Sequence, residues 1–281
     1  MPGTLYVVAT PIGNLEDVTL RALRVLREVS LIAAEDTRRT ARLLQHYSIS
    51  TRTTSLHEHN ERAKTPSLIA RLLAGDAIAL VSDAGTPVVS DPGTHLIAQA
   101  HAAGIRVEPV PGPSAVLAAL SASGLAGREF VFAGFPPNRS KARQLWLETL
   151  AKETRVLIFY EAPHRIRRML EDMLQAFGDR RVALARELTK VHEQLVVRPI
   201  SGHLGHELEE RGEFTIIVEG QSQQDEPGLT PDVAMVAAEF GQMTDSGGLN
   251  RREAMRSLAL RYGISAREVF ALLEQSKSSA E

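Results

Sequence analysis

The sequence predicts an α/β fold: two α/β domains followed by a small helical segment at the C-terminus. Three observations carry that reading. Short apolar runs alternate with helix-length amphipathic segments, the signature of strands joined by helical crossovers. The run Ala77–Ser82 (AIALVS) is almost continuously apolar, as expected of a parallel strand covered on both faces. The strand–helix alternation then restarts after the Gly-containing stretch Ser121–Gly127.

In order, Thr4–Ala9 (TLYVVA) reads as the first strand, and Leu20, Leu23 and Leu26 mark one face of a helix. Leu31–Ala34 is a second strand, and Thr37–Tyr47 a basic helix. Leu68–Leu73 closes a further helix at Gly75, a suitable C-cap. The strand at Ala77–Ser82, a helix near Thr94–Ala103 and a strand at Arg106–Val110 complete the first half. The second half begins with a strand at Phe130–Gly134, a helix at Ser140–Ala151 and the apolar strand Val156–Tyr160 (VLIFY). Ile166, Met169, Leu170, Met173, Leu174 and Phe177 follow a helical period through the next segment. Strands Val182–Ala185 and Phe214–Glu219 are expected to flank a helix near Leu204–Glu210.

The resulting division is 1–122, 123–221 and 230–281, with a polar linker over 221–230. In the last part, helices Arg251–Tyr262 and Ser265–Gln275, joined at Gly263-Ile264, resemble an arginine-bearing helix–turn–helix. Helical hairpins of this size also serve as packing caps.

Composition narrows the class. The chain has 281 residues, 43% hydrophobic and 23% charged, an ordinary globular balance. There is no Cys, which removes disulfides, Cys-ligated zinc, iron–sulfur clusters and thiol nucleophiles. The N-terminus lacks a basic region before its short apolar run, and the charge-free stretch Val110–Gly127 is broken by Pro111, Gly112 and Pro113. Neither an export signal nor a spanning helix is expected, and the expected location is the cytoplasm. The net charge of −2 hides uneven patterning: Arg38–Leu73 carries seven Lys/Arg against two Glu, and Pro136–Arg168 eight against three. Such basic segments suit a polyanion-facing surface, or simply solvated helix faces.

The motifs sit at predicted strand ends. Ser82-Asp83-Ala84-Gly85-Thr86-Pro87 and its continuation to Gly93 follow a strand and precede a helix. In open α/β sheets that is where ligands bind. Turn chemistry explains Gly-Thr-Pro and Asp-Pro-Gly singly, but not two acids and two such turns within twelve residues. Thr10–Asn14 and Val110–Ala115 occupy equivalent positions, and Ser114 is placed to cap a helix. Glu35-Asp36 ends the second strand where a dinucleotide-binding fold puts its ribose-binding acid. However, G-x-G-x-x-G is absent after the first strand, as is the phosphate loop G-x-x-x-x-G-K-[ST]. His57-Glu58-His59 and His203-Leu204-Gly205-His206-Glu207 match no metal-ligand spacing, so no metal is expected. In the second half, Tyr160–Arg165 and Arg186–Lys190 sit at strand ends and mix charge. They suit either interdomain ion pairs or phosphate contacts with proton transfer.

Taken together, TPIGNLEDVT, AEDTRRT, SDAGTPVVSDPG, PGPSA, FAGFPP, EAPHR and RELTKVHE resemble the ribosomal RNA small subunit methyltransferase I family of the tetrapyrrole-methylase superfamily. The resemblance covers roughly Gly3 to Glu219. It implies two α/β domains of the tetrapyrrole-methylase type with the cofactor in the interdomain cleft, a homodimer, and S-adenosyl-L-methionine as methyl donor. It further implies the 2′-hydroxyl of a cytidine ribose in the decoding region of 16S rRNA, in the small ribosomal subunit, as acceptor. Cofactor contacts carried over fall on Thr10, Pro11, Ile12, Asp83, Ala84, Gly85, Val88, Ser114, Ala115, Tyr160 and Leu188.

A ribose hydroxyl is weakly acidic, so a general base would help. Glu35, Asp36 and Glu187 are candidates, with Lys190 to stabilise a developing alkoxide. Arg38, Arg39, Arg42, His164, Arg165, Arg251, Arg252 and Arg256 are expected on the RNA side, mostly at phosphates. With 1 Trp, 4 Tyr and 8 Phe, extensive base stacking is not expected. Two rival readings stand beside this one: a tetrapyrrole C-methyltransferase of the same fold, which needs no extended cationic surface, and a non-catalytic ribosome-binding factor.

Overall fold

The structure of the protein is a computed structural model. It describes residues 1–125, 127–221, 232–246, 248–262 and 264–278. The chain forms two compact units, Met1–Gly220 and Gln221–Glu281.

The first unit opens with β1 (Thr4–Val8), α1 (Leu20–Glu28), β2 (Leu31–Ala34), α2 (Thr37–His46), β3 (Thr53–Ser55), α3 (Glu61–Leu73), β4 (Ile78–Val81), α4 (Thr94–Ala102) and β5 (Arg106–Val110). The strands form a parallel sheet in the order β3-β2-β4-β1-β5. Successive side chains of a strand point to opposite faces, and both faces here are apolar. Ile32, Ala34, Ala79 and Val81 pack with Ala22, Val25 and Leu26 of α1 and Leu43 and Leu44 of α2. Leu31, Ala33, Ile78 and Leu80 pack with Leu68 and Leu72 of α3 and Leu96 and Ala100 of α4. This two-sided burial is why Ala77–Ser82 shows no alternation.

One consequence positions the site. The neighbouring strands β1 and β4 send the chain to opposite faces, into α1 and α4 respectively. Their loops, joined at Thr10 and Gly85, run on toward opposite faces and border a crevice at the carboxyl edge, the usual ligand position in open α/β sheets.

The unit continues with α5 (Ala115–Ser123), β6 (Phe130–Phe132), α6 (Ser140–Leu150), β7 (Val156–Glu161), α7 (Ile166–Phe177), β8 (Arg181–Arg186), β9 (Gln194–Pro199), α8 (Ile200–Leu204) and β10 (Phe214–Val218). A second sheet runs β6-β7-β10-β8-β9. Only β6 and β7 are parallel; β10 pairs antiparallel with β7 and β8, and β8 with β9. The sequence-based reading missed β9 and β3, and placed a helix at 204–210 that does not form. Helix α8 starts directly after Pro199, which has no N–H to give to a preceding ladder, and ends at Gly205. One face of this sheet is covered by Met169, Leu170 and Met173 of α7 and Leu147 of α6. The other face is covered by Val116, Ala119 and Leu120 of α5. Inside the α6–α7 layer, Arg143 reaches Asp172 at 2.6–2.7 Å, and Gln144 donates to the second carboxylate oxygen at 2.8 Å.

The second unit holds α9 (Val233–Gly241), α10 (Arg251–Tyr262) and α11 (Ala266–Ser278) around Val236, Leu258, Tyr262, Val269 and Leu273. The sequence reading expected a helical pair; α9, capped by Asp232, is the third helix it overlooked. Most of the expected linker, 222–230, and the Gly263 turn lie outside the described residues. Among the described residues no helix is long and apolar enough to cross a membrane.

Candidate active site

The loops at the carboxyl edge of the parallel sheet are fastened to one another. Thr10 and Gly85 exchange backbone hydrogen bonds at 2.9 and 3.0 Å. The Thr10 hydroxyl donates to the Ser82 carbonyl at 3.2 Å, and the Thr86 hydroxyl to the Pro113 carbonyl at 3.2 Å. Gly85 adopts φ +78°, where an L side chain is strained, and a Cβ there would press on Ile12 at 3.3 Å. The loop after β1 also rests on the second half: Asn14 N–H donates to the Thr189 hydroxyl at 3.0 Å.

Between these loops and the second sheet lies a cavity of about 390 Å³, within the range of small-ligand sites. The first half contributes Ile12 after β1, Glu35 after β2, Asp83 to Gly85 and Asp91 after β4, and Ser114 and Ala115 at the start of α5. Tyr160 and Glu161 end β7, Leu188 follows β8, and Phe135 follows β6. Phe135 is 58% exposed and sits 5.3 Å from the Tyr160 ring, which also meets Phe132 edge-on at 5.0 Å.

The structure brings most of the expected cofactor residues together here. Thr10, Pro11 and Val88 stand behind the lining: Thr10 ties the loops, Pro11 is buried, and Val88 packs into the core beneath the sheet. Of the expected catalytic group, Glu35 lines the cavity. Asp36 instead caps α2, its carboxylate holding Arg38 N–H at 2.8 Å and the Arg38 guanidinium at 2.8 Å. That hydrogen bond keeps the Asp36 carboxyl well below the usual range. Glu187 and Lys190 are bound to each other at 2.8 Å outside the cavity, and Lys190 also reaches Glu213 at 3.0 Å. Burial opposes charge on both, but their hydrogen bonds prevail, lowering the Glu187 carboxyl and raising the Lys190 ammonium.

The cavity wall is acidic. Asp83 accepts from Asp36 N–H at 2.9 Å and faces Arg39 at 3.5 Å, while Glu35 accepts from Asp83 N–H at 3.2 Å. Burial and the nearby Asp83 push the Glu35 carboxyl up. Burial, then Glu35 and Asp83, push Asp91 up to about 6. Burial and the Asp91 charge push the Tyr160 phenol up to about 12. Among the described residues Arg39 is the single guanidinium in the lining, so the wall carries a carboxylate surplus that a cationic ligand would offset.

Of the residues expected on the RNA side, Arg39 borders the cavity, and Arg38, Arg42 and His164 are exposed. Arg165 is committed elsewhere: it donates to the Pro136 and Pro137 carbonyls at 2.9 and 3.2 Å and pairs with Glu161 at 3.1 Å. Arg251, Arg252 and Arg256 lie exposed on α10, with Arg251 over the Phe240 ring at 5.7 Å. Among the described residues no group of His, Asp and Glu side chains is arranged to hold a metal ion. Sequence reasoning did not single out Asp91, Phe135 or Glu161 as site residues. Each sits inside a quoted motif (SDPG, FAGFPP, EAPHR), but the turn residues around them masked the side chains that matter.

Comparison with known proteins agrees with this architecture. The methyltransferase CobJ superposes with a TM-score of 0.60 at 21% identity, covering 78% of this chain and 94% of that one. Uroporphyrin-III C-methyltransferase from Thermus thermophilus, solved with S-adenyl homocysteine, gives 0.55 at 19% identity, covering 76% and 97%. At those identities the likeness is one of fold. Residues 4–202 match the model of the tetrapyrrole (corrin/porphyrin) methylases, which defines the class. Ribosomal RNA small subunit methyltransferase I of Pseudomonas aeruginosa is 52% identical over 223 residues, 78% of this chain and 79% of that one. Its counterpart in Halalkalibacterium halodurans is 43% identical over 275 residues, 97% and 95% of the two chains. The chain thus belongs to the ribosomal RNA small subunit methyltransferase I family, within the tetrapyrrole methylases.

Proposed function

We propose that this protein methylates ribosomal RNA of the small subunit with S-adenosylmethionine as donor, at the 2′-hydroxyl of a cytidine ribose in the decoding region of 16S rRNA. The observation that carries this reading is the acidic cavity at the β1–β4 crevice, in a chain whose relatives are named for small-subunit rRNA methylation.

The residues present fit the cofactor. Its ammonium and sulfonium charges suit a wall bearing Glu35 and Asp83. Gly85 lets the backbone come close, and Ile12, Ala84, Ala115 and Leu188 offer an apolar surface to a purine. The chemistry such a cofactor supplies is an electrophilic methyl carbon carried on a positively charged sulfur. The chain's own contribution is alignment: the tied loops hold the donor site, and the second-sheet residues Tyr160 and Leu188 close it from the opposite side.

The acceptor nucleotide enters the crevice with its ribose hydroxyl toward the donor and its base splayed from its neighbours. Phe135, exposed beside Tyr160, supplies a face on which the splayed base stacks. The exposed arginines of α2 and α10 then contact phosphates. A homodimer belongs to the same reading, and sedimentation of the purified protein tests it.

The experiment is transfer of labelled methyl from S-adenosylmethionine to small subunits lacking their own decoding-site methylation, beside naked 16S rRNA and a porphyrinogen. Label in the subunits or the rRNA is expected. Label in the porphyrinogen alone would replace this reading with tetrapyrrole methylation, and cofactor-free binding to subunits with the ribosome-binding factor.

A further inference from the structure

The cavity holds several carboxylates, and their partners separate them. Both Asp83 oxygens are engaged, one by Asp36 N–H at 2.9 Å and one by Arg39 at 3.5 Å. Glu35 accepts from Asp83 N–H at 3.2 Å, holding the loop after β4 in place. The Glu161 side chain is fully buried, with Ala162 N–H at 2.7 Å and Arg165 at 3.1 Å. Glu213 pairs with Lys190 at 3.0 Å. Asp91 is different: it lines the cavity, is partly exposed to it, and among the described residues has no cationic partner. The groups facing it are the Ser82 hydroxyl and the Asp83 carboxylate after β4, Glu35 after β2, and Tyr160 from β7 of the second sheet.

The backbone that presents Asp91 is held in a costly conformation. Val88 has φ +75° and Ser90 φ +70°, both in the left-handed region, and Val88 is β-branched. Such geometry persists where the surroundings over-determine it, and it concentrates at functional sites. Here the surroundings are explicit. The Val88 side chain packs into the core below the sheet. At the far end, Gly93 (φ +126°) lies so close to Leu80 that a Cβ would meet it at 2.6 Å. A loop pinned at 88 and 93 carries Asp91 between its anchors.

We propose that Asp91 is the general base of the transfer and takes the proton of the acceptor hydroxyl; this rests on the methyl-transfer reading given above. As the acceptor oxygen bonds to the methyl carbon, its proton passes to a carboxylate oxygen of Asp91. The carbon–sulfur bond breaks with its electron pair remaining on sulfur, which becomes a neutral thioether. Asp91 then returns the proton to water. Burial and the two neighbouring carboxylates push Asp91 up to about 6, close to the working pH where a general base is most effective.

The test measures single-turnover methyl transfer to small subunits between pH 5 and 8.5 for the wild type, Asp91→Asn and Asp91→Glu, with cofactor affinity by calorimetry and RNA affinity by filter binding. Asp91→Asn is expected to lower kcat by about 10²–10⁴-fold, with KM and both affinities within about threefold. The wild-type rate is expected to fall as pH drops through about 6, a limb that Asp91→Asn loses and Asp91→Glu retains with part of the rate. An Asp91→Asn enzyme that keeps the limb and more than about a tenth of the rate would overturn the proposal. So would a raised KM or weakened cofactor binding with kcat intact, which would make Asp91 a binding residue. No transfer to any RNA by the wild type would instead overturn the parent reading, and this proposal with it.

Discussion

Asp91 stores electrostatic cost in the folded state, and this can be measured apart from activity. Its folded carboxyl is raised from an ordinary 3.8 to about 6. A raised acid binds its proton more readily folded than unfolded, so its favourable contribution is present at low pH and lost as pH rises through about 6. Asp91→Asn, which has no charge to bury, is therefore expected to melt higher than wild type at pH 7. The gain should shrink as pH falls through about 6 and vanish only below the ordinary 3.8, where Asp91 is neutral both folded and unfolded. A melting temperature lowered at pH 7 would mean that Asp91 is a structural hydrogen-bonding residue. Base stacking on an aromatic ring contributes about 1–3 kcal/mol. Phe135→Ala is thus expected to raise KM for RNA about 5- to 150-fold with cofactor affinity unchanged, and Phe135→Tyr to restore it.

At the scale of elements, the α6–α7 layer depends on one buried ion pair, with Arg143 4% and Asp172 9% exposed at the side chain. Removing one partner of such a pair leaves an uncompensated buried charge and costs about 3–5 kcal/mol. Asp172→Ala is expected to lose stability of that order in urea unfolding. Replacing both residues with apolar ones of similar size should recover most of it. The regular elements were largely legible in the sequence because their periods are strong. Helix α7 follows the 3.6-residue repeat, and β4 is apolar on both faces. The misses have physical causes. β3 is three residues, Thr53–Ser55, and all are half-buried, so there is no pattern to read. β9 is half-buried on both sides and takes its register from pairing with β8. The antiparallel pairing of the second sheet is decided by long-range partners, not by any local signal.

For the whole molecule, the proposed function divides between a cavity and a surface. The cavity-forming unit Met1–Gly220 and the helical unit Gln221–Glu281 are separately compact. The strand-end loops of the site were legible because Gly and Pro mark them, while the partners of each carboxylate were not. Sequence spacing cannot show that Asp36 turns onto Arg38, that Lys190 turns onto Glu187, or that Asp91 has no cationic partner among the described residues. In the α10 surface, Arg251, Arg252 and Arg256 are exposed. If they meet phosphates, replacing all three with Gln should weaken RNA binding and flatten the log–log salt slope by roughly 2–3, about 0.7–0.9 per lost contact. Cofactor affinity should stay within about twofold. An unchanged slope would remove the helical unit from the RNA surface.

The acidic crevice between β1 and β4 is proposed to serve ribose methylation of small-subunit RNA. Its most direct test is nuclease digestion and mass analysis of small subunits after incubation with labelled S-adenosylmethionine and the wild-type protein. Label on a single 2′-O-methylcytidine in the decoding region is the expected result. Label on a base, label elsewhere in the RNA, or no label despite measured cofactor binding would contradict it.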